Sequence, residues 1–392
     1  MMTKYYLWLL LIFRYSRSEL TELIEQYETP ENIYYAFKEN RIITDREFIE
    51  KAERITLDEA EKLVDSINRR GITIITREDS LYPKTLLSLI NPPLILFAKG
   101  NTALLKNKLV TVSGSKKITD YTIRTEEKAC MQLCEEFTLV SSLIDGCEQL
   151  ACLTAIKCGK GCIEVLPCGV EYEYPKNSRL LREQILLNGG CILSEYLPDA
   201  KTNSGSFLQR ARISGAISKA TIIFQAGINS KSLNIASNSP SVFFIPPNDV
   251  FDPNYAGAVK QIRKGAGIYL GTEDIKRVFE EGYTPNEVQI TIERKKNTSV
   301  SEKEEKIIKA EPEVKAKEKA PEESTKLSEE LFETPVHFSV YKYILEKETP
   351  VTFDEILRGC DCDISELSEI LLDLEISGHI TASAGSRYSI AK

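Results

Sequence analysis

The chain has 392 residues, more than one core usually organises, so roughly two to four domains are expected. Apolar content of 42% and charged content of 28% are ordinary for a soluble globular protein, and the net charge of −8 argues against a chain coated throughout for nucleic acid. That charge is uneven: residues 81–290 hold 23 Lys/Arg and 20 Asp/Glu, net +3, whereas 1–80 is net −4, 291–333 net −2 and 334–392 net −5. An anion site is therefore expected in the middle segment.

The opening run KYYLWLLLIF is the one targeting suspect. Its apolar stretch of about nine residues is too short to span a bilayer. Arg14 and Arg17 follow it, and no small-x-small cleavage site does. It reads as a buried first helix, and the protein as cytoplasmic with no membrane partner. Residues 5–70 continue at helical spacing, with Leu20, Leu23, Ile24 and Tyr27, then Ile33, Ala36 and Phe37, then Phe48, Ala52 and Ile55. Thr29-Pro30, and Thr56 with Glu59, are helix starts. Residues 1–70 are expected to form a small helical domain.

From 72 to 290 the pattern is strand, turn, helix, repeated. The strand-like runs are KLVTVS (108–113), FTLVSS (137–142), CIEVLP (162–167), CILSE (191–195), ATIIFQ (220–225) and VFFIP (242–246). Their unbroken apolar character fits strands covered on both faces. The expected fold is α/β, a Rossmann-like doubly wound parallel sheet, which binds ligands beyond the carboxyl ends of its strands. The ten cysteines sit mostly in apolar patterns and read as reduced, small hydrophobes. Cys158-x3-Cys162 and Cys360-x-Cys362 are not paired zinc knuckles, and only His337 and His379 accompany them, so no metal and no cofactor is expected.

Residues 291–333 turn to Lys, Glu, Ala and Pro with little to bury, which predicts a disordered charged linker. From 334 to 392, VHFSVYKYILEK, TFDEILRGC and ISELSEILLDLEISG give three amphipathic helices, and HITASAGSRYSIAK gives a hairpin. That is the winged-helix pattern.

The chemistry is expected in the loops after the strands. Ser113-Gly114-Ser115-Lys116-Lys117 joins a strand to a helix, so backbone N–H groups, the helix N-terminus and two lysines can face an anion. It is neither a dinucleotide fingerprint nor a P-loop. The tyrosine-rich loop 166–177 adds Lys176, and the turn after ATIIFQ adds Ser230, Lys231 and Ser232. Arg210 and Arg212 lie on the segment that feeds ATIIFQ, among Ala211, Ser214, Gly215 and Ala216. Several basic loops at one sheet edge fit an elongated polyanion better than one nucleotide. Tyr172 and Phe207 are the candidate base-stacking rings, a buried aromatic being the plainer reading of Phe207.

These segments, in this order, resemble the DNA-processing protein A (DprA/Smf) family. The matching pieces are Tyr82-Pro83 with Leu86, Pro93 to Phe97 with Lys99-Gly100-Asn101, the Gly114-Ser115-Lys116 turn, Gly169 to Tyr174-Pro175, Leu193-Ser194-Glu195-Tyr196, Phe207 with Arg210-Ala211-Arg212-Ile213, and Ser230-x-Ser232-Leu233 with Ala236. The family usually has arginine where Lys116 stands, asparagine at Ala211, a glutamate at Gln225 and glycine at Lys231. The resemblance implies a SAM/helix-hairpin-helix-like amino-terminal domain, single-stranded DNA held by the Gly114 turn, Arg210, Arg212 and the neighbouring lysines, a homodimer through the Rossmann-like domain, and a RecA-type recombinase as partner. It implies binding rather than catalysis.

Two other readings stay open on the residues. One is a nucleotide-handling hydrolase, with Glu171, Glu173 and Glu195 as candidate acids, although the Pro-Gly-Gly-x-Gly-Thr-x-x-Glu run of such enzymes is absent. The other is a degenerate scaffold that only docks partners. The winged helix carries Asp363, Glu366, Glu369, Asp373 and Glu375 on its third helix without Lys or Arg, so it is expected to dock protein rather than DNA.

Overall fold

The computed structural model describes residues 2–14, 17–203, 205–285 and, towards the carboxyl terminus, 335–345, 347, 351–360, 367, 370–371, 374, 380–383 and 387–390. It divides into two units, Met1–Ile292 and Glu293–Lys392. The expected linker, Tyr15 and Ser16, and the five acids of the last helix lie outside the described residues.

The apolar opening run forms α1 (Thr3–Phe13), with eight residues buried, from Tyr5 to Phe13. A helix that is apolar all round belongs in the middle of a bundle. Around it stand α2 (Arg17–Tyr27), α3 (Pro30–Lys38), α4 (Arg46–Arg54) and α5 (Leu57–Arg69). Trp8 is buried and its indole N–H donates to Ile55 O at 2.8 Å. Thr29 caps α3 with Pro30 at its first position, and Thr56 with Glu59 forms a capping box on α5, as the sequence signals. Among the described residues no helix is long and apolar enough to cross a membrane. The helical bundle is continuous with the sheet domain: Leu7, Trp8 and Ile12 share one core with Ile95, Phe97 and Ile192.

Nine strands make that sheet: β1 (Ile72–Thr76), β2 (Ile95–Gly100), β3 (Leu109–Ser113), β4 (Thr138–Ser141), β5 (Ile163–Val165), β6 (Cys191–Ser194), β7 (Ala220–Ile223), β8 (Val242–Phe244) and β9 (Gly267–Ile268). Their order is β1-β2-β6-β5-β4-β3-β7-β8-β9. From β6 to β9 every pairing is parallel, while β2 runs antiparallel to both neighbours. The sheet is thus doubly wound, with one reversed strand that period alone did not mark, because a short apolar run carries no direction. One face is covered by α6 (Asp120–Leu133), α7 (Cys147–Lys157) and α12 (Thr272–Glu280). The residues of α9 (Ser206–Ala216) join Val140, Ile163 and Leu193 in another core, and α10 (Leu233–Ala236) and α11 (Ala256–Arg263) join Ile223 and Phe244 in a third. Between β5 and β6 lies α8 (Arg179–Leu187).

The chain lays β3 to β6 outward in one direction, then crosses back and lays β7 to β9 in the other. β3 and β7 therefore flank the point where the winding reverses. That is the place where doubly wound sheets usually receive a ligand, beyond the carboxyl ends of the strands.

The second unit is built from α13 (Pro335–Leu345), β10 (Val351–Thr352), α14 (Phe353–Gly359), β11 (Ile380–Ser383) and β12 (Arg387–Ile390), with sheet order β10-β12-β11. Leu367, Ile370, Leu371 and Leu374 are helical and buried against Val340, Ile344 and Ile356. Helices with a small antiparallel sheet make a winged helix; β10 is an addition that two residues could not announce.

Candidate nucleic-acid interface

β3 ends at buried Ser113, whose hydroxyl donates to Glu148 Oε1 at 2.7 Å. The next residue must be glycine: a Cβ on Gly114 would lie 2.3 Å from Cys147 Sγ. Gly146, at φ +90°, lets α7 start close enough for Cys147 N to donate to Ser115 O at 3.2 Å. Lys116 and Lys117 are left exposed on the outside of this tight turn.

Gln225, just past β7, fastens the turn from the other side of the reversal. Its Oε1 accepts from Thr119 N at 3.0 Å and Thr122 Oγ1 at 2.9 Å, and its Nε2 donates to Lys117 O at 2.8 Å. Ser115 Oγ also donates to Gln225 O at 3.2 Å. Tyr255 OH meets Thr119 Oγ1 at 2.8 Å and Thr122 Oγ1 at 2.6 Å, closing the network. A carboxylate at 225 could accept from Thr119 and Thr122 but could not donate to Lys117 O. The amide is therefore suited to this turn, whose backbone supplies both a donor and an acceptor.

On the same side, Lys231 is exposed while Ser230 and Ser232 face each other, Oγ to Oγ 2.7 Å. Lys176 is exposed on the loop after β5. β5 lies two strands from β3, so the strands carrying Lys116 and Lys176 are roughly 10 Å apart along the edge. Tyr174 sets its ring edge-on to Phe207, centroids 5.2 Å apart. Both rings are half-buried.

The two arginines differ from expectation. Arg210 points inward: Nη1 lies 2.5 Å from Glu148 Oε2 and Nη2 3.1 Å from Oε1, with both side chains less than a tenth exposed. Ser142 Oγ donates to the same carboxylate. Burial pushes the Glu148 carboxyl up, but Arg210, Ser142 and Ser113 outweigh it and hold it below its usual range. Arg212 is mostly covered, with Nη2 2.5 Å from Glu195 Oε2 and Nε donating to Gln209 Oε1 at 2.9 Å. The physical reason is packing: Ala211, Ser214 and Gly215 are buried, so α9 lies close to the sheet and its arginines meet carboxylates there. Glu148 was left without a role by the sequence. Its signal was indirect, since an arginine among small buried residues needs a carboxylate partner. Glu126, fully buried beside Cys147, is pushed well above its usual range by desolvation.

Residues 73–280 match the family described as DNA recombination-mediator protein A, and residues 344–386 match the DprA winged helix domain. The chain belongs to the DNA recombination-mediator protein A family. It is 29% identical over 226 residues to the DNA processing protein DprA of Bacillus subtilis (strain 168), covering 56% of this chain and 74% of that one. With the DNA processing protein DprA of Streptococcus pneumoniae it shares 31% over 206 residues, covering 52% of this chain and 72% of that one. The X-ray structure of DprA from Streptococcus pneumoniae superposes with a TM-score of 0.57 at 25% identity, covering 66% of this chain and 91% of the other. In this member, the Gly114 turn and Gln225 lie where the winding of the sheet reverses, and the winged helix is the second unit.

Proposed function

We propose that the chain binds single-stranded DNA along the carboxyl edge of its sheet, as a DNA-processing protein acting in the cytoplasm in recombination of incoming DNA. One observation carries this reading: two loops on opposite sides of the winding reversal are tied through Gln225, and each presents exposed lysine, Lys116 and Lys117 on one and Lys231 on the other. Lys176 extends the same edge by two strands. A line of separated ammonium groups suits a phosphate backbone and reads no sequence. Arg210 and Arg212 serve this edge by setting α9 against it rather than as loose charges.

Binding rather than bond-breaking is the activity proposed: of the candidate acids, Glu195 is paired with Arg212, and Glu171 with Arg70 and Lys99. On this reading the DNA complex recruits a RecA-type recombinase, the Rossmann-like part pairs as a homodimer, and the C-terminal unit docks protein. The 334–392 segment holds 5 Lys/Arg against 10 Asp/Glu, a poor match to phosphates. The test is a gel-shift series with single- and double-stranded oligonucleotides across salt. Retardation of oligo-dT at low salt that fades steeply as salt rises is expected. No retardation at low salt overturns the reading.

A further inference from the structure

Glu164 lies in the middle of β5, fully buried, and neither carboxyl oxygen has an aligned hydrogen bond among the described residues. Its ion-pair partner is Arg182 on α8, Nε to Oε2 3.2 Å. Arg182 gives its other nitrogens to the tyrosine loop: Nη1 donates to Tyr172 O at 2.8 Å and Nη2 to Tyr174 O at 2.6 Å. The loop leads directly into Lys176, and its Tyr174 rests on Phe207. A buried guanidinium thus links a strand carboxyl to the backbone of a loop at the candidate DNA edge.

The other groups facing Glu164 are Arg210 from α9, Cys152 from α7 and Cys168 from the loop after β5. Burial raises the Glu164 carboxyl to about 7 against the pull of Arg182 and Arg210. The interior therefore accepts the neutral acid more readily than the carboxylate.

We propose that Glu164 and Arg182 are positioning residues for the DNA edge: with Glu164 neutral the pair holds the Tyr172–Lys176 loop closed, and ionisation of Glu164 loosens it. An ionised carboxylate without an aligned hydrogen bond in a dry interior favours any opening that hydrates it. Once hydrated, Glu164 returns towards the ordinary carboxylate value, below its value in the closed loop. The stabilisation of the closed loop is therefore complete in acid and is lost as pH rises through about 7. The consequence for DNA rests on the single-stranded DNA reading; the loop movement does not.

The experiment is limited trypsin digestion of the full chain without DNA, following the cut after Lys176 by mass spectrometry. Rates are normalised to a synthetic peptide in the same tube, at about pH 6 and about pH 8. Wild type is expected to be cut several-fold faster at the higher pH, up to about tenfold for one proton titrating near 7. Glu164→Gln, a neutral isostere, is expected to stay slow at both, and so to be more protected than wild type at the higher pH, which a folding defect cannot produce. Arg182→Lys, unable to hold both carbonyls, is expected to be cut fast at both. A pH-independent wild type, or a Glu164→Gln chain cut as fast as wild type at the higher pH, overturns the proposal. A parallel oligo-dT titration separates the two readings. If the loop responds but oligo-dT never binds, the DNA reading fails and the positioning role stands; if oligo-dT binds while digestion ignores pH, the positioning role fails alone.

Discussion

Arg210 and Glu148 are locked together beneath the carboxyl edge, two guanidinium nitrogens on two carboxylate oxygens at 2.5 and 3.1 Å. The pair ties α9 to the start of α7, and Ser113 and Ser142 extend it to the ends of β3 and β4. Removing one partner leaves a buried charge uncompensated, at a cost of about 3–5 kcal/mol. Arg210→Met should therefore lower the unfolding midpoint in denaturant sharply. Because Glu148 is held below its usual range, its contribution is present above the ordinary carboxylate value and is lost as pH falls through the lower folded value. Arg210→Met should lack that acid-side loss in a series of unfolding curves against pH.

Lys116 and Lys117 make the opposite prediction. Both are exposed, so Lys116→Gln with Lys117→Gln should leave the unfolding midpoint nearly unchanged. Each lost phosphate contact on a single strand should flatten the logarithmic salt dependence of oligo-dT affinity by about 0.7. Fluorescence anisotropy across a salt series measures that slope. An unchanged slope places the DNA elsewhere.

Gln225 makes three side-chain bonds that hold the Lys117–Thr122 segment. Gln225→Leu removes them and strands Thr119 N and Lys117 O, at about 1–3 kcal/mol for each group kept from water. Loss of stability together with loss of oligo-dT affinity is expected, whereas the Lys116/Lys117 variant should lose affinity alone. Comparing the two by calorimetry and anisotropy separates shaping of the turn from charge.

Gly146 sits at φ +90°, and a Cβ there would lie 2.2 Å from Ser115 O. Gly146→Ala must strain its own backbone, by about 1–3 kcal/mol, or push the Gly114 turn away from α7. Reduced oligo-dT affinity is expected even at temperatures well below unfolding, read by the same anisotropy assay.

Local patterns were legible wherever one residue type has one physical use. The caps at Thr29 and Thr56 announced α3 and α5, because only a side-chain oxygen there can satisfy a free helix N–H. Unbroken apolar runs marked β3 to β8, and the alternation with helices implied a parallel sheet with its loops gathered at one edge. The Gly114 turn was legible as a tight connection because glycine and serine stand between an apolar run and a helical one.

Burial and pairing were decided by the tertiary structure. The sequence showed that Arg210 and Arg212 are charged, but not whether their charge reaches solvent; that depends on Glu148, 62 residues away, and Glu195, 17 away. Gln225 showed no partner in its own neighbourhood, since Lys117 lies 108 residues earlier. Glu164 passed unremarked inside the run CIEVLP, and only the fold buries it beside Arg182. Charge and period are properties of a residue and its near neighbours. Desolvation and ion pairing are properties of whatever packs alongside, which the strand order and the helices laid on the sheet set together.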